Sequence, residues 1–472
     1  MRRSPVCHGC FFAVVLAAVA AALASSSSAA AAAAVSGRPN WHVVSVNSLL
    51  PSAVCSAAQV APNSSALSVV HRHGPCSPLL ARGGVPSHAE ILDRDQDRVN
   101  SIHRKAAGAS TINPARASKG VSLPAHRGIS LGTGNYIVSV GLGTPARDYA
   151  VVFDTGSDLS WVQCKPCTDC YDQKDPLFDP AQSSTYSAVP CGAPECKALD
   201  SQGCSSDGKC RYEVVYGDQS QTDGNLARDT LTLAPSNALP GFVFGCGDDN
   251  TGLFGQADGL VGLGRQKVSL SSQAAAKYGP GFSYCLPSTS SAAGYLSLGG
   301  AAPANSQFTA MVARSDTPSF YYLNLVGIKV AGRAIKIPQA VFATAGTVID
   351  SGTVITRLPD HAYRALRSAF VRFMGKYKRA PALSILDTCY DFTGHTTVQI
   401  PSVSLVFAGG AAVSLDFSGV LYVSKVSQAC LAFASNGDDT SIGILGNTQQ
   451  KTFAVVYDVA NHKIGFGAKG CS

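Results

Sequence analysis

The sequence predicts a mostly β protein built from two homologous lobes with few short helices, and three observations support this prediction. The 472 residues are 46% hydrophobic and 14% charged, which excludes a disordered chain. The 46 glycines and 16 cysteines favour a turn-rich β architecture in an oxidising compartment. A short acidic segment that follows an apolar strand occurs twice, which indicates an internal duplication.

Residues 1–24 have the pattern of a signal peptide. Two arginines precede the apolar stretch FFAVVLAAVAAALA, which ends in an Ala-x-Ala site. Residues 24–36 are rich in serine and alanine and contain no acid, so a plastid transit peptide is the alternative. The C-terminus carries neither a retention signal nor a hydrophobic anchor. We expect a secreted, apoplastic protein with no membrane anchor, and the plastid or vacuole is less favoured.

The positive charge of the chain is confined to its first part. Residues 25–130 hold ten Lys and Arg against four acids, a net charge of +6, whereas residues 131–472 hold 25 bases against 26 acids, a net of −1. The larger part therefore lacks the basic surface that a nucleic-acid partner requires. We expect residues 25–130 to be a propeptide that is removed, and a leader with no fold is the alternative. Asn63 lies in the only N-glycosylation sequon of the chain.

A globular domain is expected to begin near residue 131. From Tyr136 to Leu142, every second residue is a large apolar one, which is the period of a β-strand, and a Gly-Thr-Pro turn follows. Further segments with a β-strand pattern follow up to the end of the chain. The domain is therefore predicted to be built mainly from strands.

The duplicated segment consists of an apolar strand that runs directly into an acidic turn. The strand up to Phe153 precedes Asp154-Thr155-Gly156-Ser157, and the strand up to Ile349 precedes Asp350-Ser351-Gly352-Thr353. About a hundred residues after each acid comes a further apolar-apolar-Gly strand, within DGLVGLG and IGILGN respectively. We therefore expect an N-terminal lobe at 131–305 and a C-terminal lobe at 306–472. The simpler alternative is that both acids only cap turns.

The chemistry favours a catalytic pair over two turn caps. An aspartate placed directly after a buried strand is costly unless it is hydrogen-bonded or titrates. If the lobes face each other, Asp154 and Asp350 meet and share one proton, because two like charges about 3 Å apart do not both ionise. Such a pair activates water for attack on an amide without a metal or cofactor. Thr155 and Ser351 are expected to lock the loops together, and Ser157 and Thr353 to hold the outer carboxylate oxygens.

These residues and several further motifs resemble the pepsin-type aspartic peptidases, specifically the atypical plant branch that includes the nepenthesins. The motifs, in chain order, are GTPARDYAVVFDTGSDLSWVQC, YGDQSQTDGNLARDTLTL, DGLVGLGRQKVSLSSQ, TVIDSGTVITRLP and ILGNTQQKTFAVVYDVANHKIGFG. The resemblance implies a bilobal pepsin-like fold with the active site between the lobes, and an endopeptidase that acts at acid pH. It also implies a flap formed by Tyr216, Gly217 and Asp218, with Trp161 hydrogen-bonded to the flap tyrosine.

Two other functions stay open at this point. One is a catalytically silent binding or inhibitor protein of the same fold, which the intact DTGS and DSGT motifs disfavour. The other is a plastid homologue that binds DNA, which the near-neutral charge of residues 131–472 disfavours. The favoured partners are protein or peptide substrates of a monomeric enzyme, together with its own propeptide as an intramolecular inhibitor.

The charge distribution also predicts how the propeptide acts. A segment of charge +6 upstream of an acidic cleft is a suitable electrostatic plug at neutral pH, and acid loosens it because the carboxylates become protonated. We expect self-activation, with cleavage between about Ala125 and Gly134.

The cysteines of residues 131–472 predict disulfide bonds. Cys164, Cys167 and Cys170 are spaced like half of a metal site, but no second Cys or His pair stands at motif spacing, so no metal is expected. Seven cysteines lie between residues 164 and 210, so at least one of them pairs outside if all are oxidised. Cys246 is a candidate partner, which leaves Cys285 for Cys471. The family resemblance implies a bridge between Cys389 and Cys430.

Overall fold

The computed structural model describes residues 40–56, 66–79, 86–107, 136–216, 220–235, 237–252, 254–299, 302–344 and 346–471. Within these residues no helix is both long enough and apolar enough to cross a membrane. Several sequence-based predictions concern residues outside this set, namely the signal peptide, Asn63, the cleavage region around residues 125–134, Gly217 and Asp218.

Short strands dominate the structure. Strands β1 to β15 are Trp41–Ser45, Ala66–His71, Tyr136–Leu142, Arg147–Asp154, Trp161–Gln163, Asp169–Cys170, Ser187–Ala188, Gln202–Cys204, Cys210–Val215, Gln221–Ala234, Asn237–Thr251, Gly259–Gly262, Phe282–Cys285, Ala293–Leu298 and Gln307–Ala310. Strands β16 to β31 are Tyr322–Leu323, Leu325–Val330, Arg333–Ala334, Thr347–Ile349, Thr356–Leu358, Lys378–Ala380, Cys389–Asp391, Thr397–Pro401, Val403–Phe407, Ala412–Ser414, Leu421–Lys425, Gln428–Leu431, Phe433–Ser435, Gly443–Leu445, Ala454–Asp458 and Lys463–Gly467.

Helices are few and mostly short, as the sequence predicts. Helices α1 to α7 are His88–Ala106, Pro194–Lys197, Leu270–Tyr278, Gln339–Ala343, Asp360–Phe373, Phe417–Val420 and Asn447–Gln450, and 3-10 turns lie at Val46–Ser48 and Pro180–Gln182. The prediction of a mostly β fold is confirmed.

One large sheet contains the strands of the N-terminal lobe, together with β2 of the leader and three strands from the C-terminal part of the chain. Its 16 strands run in the order β15-β31-β30-β13-β14-β2-β3-β4-β12-β5-β11-β10-β9-β8, with β6 paired to β11 and β7 to β10. The C-terminal lobe adds a five-stranded sheet, β16-β19-β29-β20-β28, and the four-stranded sheets β18-β17-β24-β25 and β21-β22-β27-β26. Strands β15, β30 and β31 follow residue 305 in the chain yet pair beside β13 and β14, which lie before it.

The predicted duplication is visible in the strand pairing. In the N-terminal lobe, β12 pairs parallel with β4 and antiparallel with β5. In the C-terminal lobe, β29 pairs parallel with β19 and antiparallel with β20. The register places Gly262 beside Asp154, and Leu445 beside Ile349. In each lobe the acidic turn therefore follows a strand that lies in the same arrangement of three paired strands.

Within the leader, residues 25–130, the described stretches 40–56, 66–79 and 86–107 are folded and contact the rest of the chain. Strand β1 pairs with β23, and β2 lies between β14 and β3. Helix α1 begins with a capping box, in which Ser87 and Glu90 satisfy each other's backbone N–H groups. One face of α1 is buried, and its buried residues are Ile91, Leu92, Asp95, Val99 and Ile102.

Seven disulfide bonds lie among the described residues. They are Cys55–Cys76, Cys164–Cys246, Cys167–Cys170, Cys191–Cys204, Cys196–Cys210, Cys285–Cys471 and Cys389–Cys430. The first joins two parts of the leader, and the other six lie within residues 136–471. Cutting the chain between these two regions would therefore leave no described disulfide holding the leader in place. The described residues also contain no cluster of His, Cys, Asp and Glu suited to a metal ion.

Candidate active site

Both acids of the duplicated segment are buried at the ends of apolar strands. Asp154 ends β4 and is 1% exposed, and Asp350 follows β19 and is 0% exposed. The backbone N–H of Gly156 donates to Asp154 Oδ1 at 2.9 Å, and that of Gly352 donates to Asp350 Oδ1 at 3.1 Å. Each acid is thus held by the turn that it begins, in the same way in both lobes.

The two acidic turns interlock. The backbone N–H of Thr155 donates to Ser351 Oγ at 3.1 Å, and the N–H of Ser351 donates to Thr155 Oγ1 at 2.9 Å. These reciprocal bonds form between the two residues that were expected to lock the loops together. They fix the spacing of the loops and so bring the two carboxylates towards each other.

Glycine at the third position of each turn permits this close approach. A Cβ atom on Gly156 would lie 2.7 Å from Asp350 Oδ1, and one on Gly352 would lie 2.6 Å from Asp154 Oδ1. Carbon atoms do not approach oxygens of a packed neighbour so closely. Each glycine therefore faces the acid of the opposite lobe, and a side chain at either position would push the loops apart.

An arginine of the leader lies between the two acids. Arg98 Nη2 is 2.7 Å from Asp154 Oδ1 and 2.9 Å from Asp350 Oδ1, while its Nε is 2.9 Å from Asp350 Oδ2. The guanidinium thus makes a bidentate contact with Asp350 and a single hydrogen bond to Asp154. The Arg98 side chain is only 14% exposed. Since one nitrogen contacts both carboxylates, the structure brings Asp154 and Asp350 into a single site.

The surroundings shift the two carboxyl pKa values in opposite directions. Burial raises the pKa of Asp154, and the nearby Asp350 charge adds to this, although Arg98 opposes both effects. Burial also acts to raise the pKa of Asp350, but the charge and hydrogen bonds of Arg98, with further bonds from Thr353 and Gly352, outweigh it and lower that pKa. Asp350 is therefore the more readily ionised carboxyl in this arrangement.

The fourth residues of the two turns differ in what they contribute. Thr353 Oγ1 donates to Asp350 Oδ2 at 2.5 Å, as the sequence analysis expected. Ser157 lies close enough to lower the pKa of Asp154, but within the described residues neither its Oγ nor Asp154 Oδ2 makes a well-directed hydrogen bond. The branched Thr side chain has fewer χ1 choices than Ser, which helps to hold its hydroxyl on the carboxylate.

Tyr216 and Trp161 meet on the N-terminal lobe. Trp161 Nε1 donates to Tyr216 Oη at 2.8 Å, and the ring of Phe254 contacts both residues at centroid distances of 4.8 and 5.6 Å. Tyr216 directly follows β9 and Trp161 begins β5, so the bond ties the end of one strand to the start of another. The other two residues of the expected flap lie outside the described residues.

Three groups that support the site were not predicted from the sequence. The net charge of the leader does not single out Arg98 among its ten Lys and Arg residues. Asn447 Nδ2 donates to the Ser351 carbonyl at 3.0 Å, and Gln450 Nε2 donates to the Asp350 carbonyl at 3.1 Å, both from α7. These side chains follow the repeated Ile-Leu-Gly strand directly, which is the signal that places them near the second acid.

Comparisons with known proteins identify the family. The matching family models are described as Xylanase inhibitor N-terminal, over residues 136–300, and Xylanase inhibitor C-terminal, over residues 320–468. An aspartyl protease family protein of Arabidopsis thaliana is 49% identical over 441 residues, covering 91% of this chain and 93% of that protein. Aspartic proteinase nepenthesin-2 of Nepenthes gracilis is 38% identical over 369 residues, covering 75% and 81% respectively. The chain belongs to the atypical plant branch of the pepsin-type aspartic proteases.

The similarity to the Arabidopsis aspartyl protease family protein extends into the leader. Residues 136–471 make up less than three quarters of this chain, so an alignment that covers 91% of it includes much of the preceding sequence. The similarity between this chain and its relative therefore includes sequence before residue 136 as well as the two lobes.

Solved structures support the bilobal pepsin-like fold. The structure of edgp has a TM-score of 0.60 at 19% identity and covers 71% of this chain and 91% of its own. Basic 7S globulin from soybean has a TM-score of 0.58 at 22% identity and covers 72% and 92% respectively. At these identities the likeness establishes the fold alone.

Proposed function

We propose that this protein is a secreted aspartic endopeptidase, made as a zymogen, that hydrolyses peptide bonds at acid pH through Asp154 and Asp350. The observation that supports the proposal most strongly is that one guanidinium nitrogen, Arg98 Nη2, contacts both carboxylates. Two aspartates this close act as one unit, and family membership supplies the reaction class.

In the proposed mechanism, the carboxylates share one proton once Arg98 has left. The ionised oxygen takes a proton from a water molecule between the two side chains, and the water oxygen attacks the carbonyl carbon of the substrate. The protonated carboxyl donates a hydrogen bond, and then its proton, to the carbonyl oxygen as the tetrahedral intermediate forms. The carboxyl that took the water proton passes it to the amide nitrogen, the other carboxylate takes a proton back from the gem-diol, and the C–N bond breaks to release the acid and amine products with one proton again on the dyad. Before this attack, Tyr216 closes over the bound peptide with Gly217 and Asp218, which excludes bulk water and orients the bond that is cut.

In the same proposal, the leader inhibits the enzyme at neutral pH by a specific contact. The positive charge of Arg98 favours the ionised form of both carboxyls, so its binding is strongest when both are ionised and weakens as pH falls. Asp154 has the raised pKa and protonates first, above the ordinary aspartate value of about 3.9. Asp350 stays ionised to a pH below that value, so acid first removes the ion pair to Asp154, which weakens the hold of α1 and leaves the one ionised carboxylate that catalysis needs.

Self-processing of the full chain tests this function. Wild type incubated at pH 4 is expected to cut itself between about Ala125 and Gly134 and then to cleave added peptides, whereas wild type at pH 7 stays intact. Asp154→Asn stays intact at both pH values because the dyad is lost. N-terminal sequencing and a peptide assay give the readouts. Equal processing by wild type and Asp154→Asn at pH 4 would contradict the proposal.

The intact acidic turns favour catalysis over a silent binding role, because both carboxylates and both interlocking hydroxyls are in place. The seven disulfide bonds among the described residues support an oxidising destination such as the apoplast.

A further inference from the structure

A second charged residue of α1, Asp95, is buried against the C-terminal lobe about one helical turn before Arg98. Asp95 is 0% exposed, and its Oδ1 accepts a hydrogen bond from the backbone N–H of Val354 at 2.6 Å. Its Oδ2 accepts one from the N–H of Ile355 at 3.1 Å and lies 3.1 Å from Arg357 Nη2. The carboxylate is thus held by two backbone donors and a guanidinium.

Arg357 is a buried cation that belongs to the lobe and not to the leader. It lies on β20 with a side chain that is 0% exposed, and its Nη1 donates to the Ile355 carbonyl at 2.9 Å. Its side-chain partners among the described residues both come from α1, the carboxylate of Asp95 and Gln96 Oε1 at 3.3 Å. Removing α1 therefore takes away the described acid that pairs with this arginine.

Without α1, Arg357 has a positive charge with no described acid beside it. The arginine cannot lose this charge by giving up a proton, because the guanidinium stays charged at any physiological pH. A buried cation without a partner is strongly unfavourable. The two backbone N–H groups that donate to Asp95, those of Val354 and Ile355, lose their acceptor at the same time. The N–H groups and Arg357 are fixed by β20 and by the turn that follows Asp350. Without α1, these groups form a ready-made site for a carboxylate.

The surface around this site is apolar. Ile91 and Leu92 of α1 pack with a cluster on the C-terminal lobe, whose members are Val354, Ile355, Leu386, Cys389, Cys430, Ala432 and Ala434. A ligand that replaces α1 therefore gains most if it carries an acidic group with aliphatic neighbours. An acidic peptide segment meets this description, and Asp95 with its neighbours is one such segment.

We propose that Arg357, with the N–H groups of Val354 and Ile355, forms a subsite that selects an acidic side chain in the peptide substrate. This inference rests on the proposed function, since it requires that the leader leaves and that a peptide takes its place. Asp95 and Arg98 are three residues apart, or about 4.5 Å along a helix axis. An extended peptide rises about 3.3 Å per residue, so the acidic side chain should lie within about three residues of the cleaved bond.

Matched peptides test the subsite. The substrate is an apolar peptide with one cleavable bond, in which Asp or Asn is placed in turn at each of the three positions on either side. The full chain is activated in acid and assayed at pH 5 and at pH 3, on either side of the ordinary aspartate pKa of about 3.9. At one position the Asp peptide should have a kcat/KM about 10- to 100-fold above its Asn partner at pH 5. The ratio should fall towards one at pH 3.

Two variants identify the residue responsible. Arg357→Gln should bring the Asp-to-Asn ratio at pH 5 to about one, and Arg357→Lys should keep a reduced preference because it retains the charge. Asp95→Asn is the matched control, because it alters the same ion pair from the leader side. Once activated, it should show the full wild-type preference.

Each outcome decides the question. A wild-type ratio near one at every position overturns the subsite even if Arg357→Gln fails to fold, and so does a preference that Arg357→Gln retains. A preference that is equal at pH 5 and pH 3 also overturns it, since the recognition must depend on the ionised carboxyl. If wild type cleaves neither member of any pair, the proposed function itself fails, which is a different result from equal cleavage of both.

Discussion

The two acidic turns share a backbone frame but differ in the donors that surround their carboxylates. Asp350 receives a bond from the Thr353 hydroxyl, and Gln450 binds its backbone carbonyl. Asp154 receives a bond from its own turn, but Ser157 makes no well-directed hydrogen bond to it within the described residues. The duplicated strands thus fix where both acids lie, whereas the side chains around them have diverged. One lobe stabilises an ionised carboxylate, and the other leaves its carboxyl easier to protonate.

Despite their different surroundings, both acids should be needed equally for catalysis. Asp154→Asn and Asp350→Asn should each lower kcat/KM at pH 4 by about 10³-fold or more, since either change removes half of a shared acid–base pair. Peptide cleavage after forced removal of the leader by a second protease measures this. If one variant kept a tenth of the activity, the acids would not form a pair.

The second prediction concerns the arginine that joins the turns. Arg98→Met leaves two buried carboxylates without a counter-ion, so α1 should bind more weakly and the midpoint pH of processing should rise by about one unit or more. Arg98→Lys is the matched control and should shift it less, because lysine keeps the charge but loses the bidentate geometry. Processing is followed on gels between pH 3 and pH 7. An unchanged midpoint in Arg98→Met would contradict the inhibitory contact.

The third prediction sharpens the difference between the turns. Thr353→Val should lower kcat/KM about tenfold and raise the lower of the two pKa values in its pH profile, because the lost hydroxyl stabilises ionised Asp350. Ser157→Ala should change kcat/KM by less than about threefold, since its hydroxyl is poorly directed in the structure. Effects of equal size would show that the two turns are equivalent in the active enzyme.

The smallest expected effect lies in the flap. Tyr216→Phe keeps the ring packed on Phe254 but loses the acceptor for Trp161, a change of about 1 kcal/mol, so kcat/KM should fall a few-fold. Trp161→Phe removes the same bond from the other side. Since one bond is involved, the double variant should lose little more than either single variant, and additive losses would count against the pair.

The sequence was sufficient to predict those parts of the molecule that repeat or that follow strand periodicity. The DTGS and DSGT turns, the bilobal β fold and the interlocking Thr155 and Ser351 all come from such patterns. The odd number of cysteines between residues 164 and 210 likewise pointed to Cys246, which the structure joins to Cys164.

The leader shows why the remainder escaped prediction. Its net charge of +6 suggested a diffuse plug, but the contact with the acids depends on the single side chain of Arg98. The capping box of α1 and its apolar residues were readable as an amphipathic helix. That charged Asp95 and Arg98 point inward becomes apparent only when the opposing lobe is in place, because their partners are distant in sequence.

We infer that Asp154 and Asp350 share a proton unless the Arg98 guanidinium lies between them. Carbon-13 NMR of labelled aspartate carboxyls in the full chain at increasing pH tests it most directly, with Asp258, whose pKa is raised to about 7 mainly by burial, as an internal reference. In Arg98→Met the pKa of Asp154 should be raised further than in wild type, because the cation is gone while the Asp350 charge remains, and Asp350→Asn added to it should lower that pKa again. Identical titrations in wild type and Arg98→Met would contradict the account.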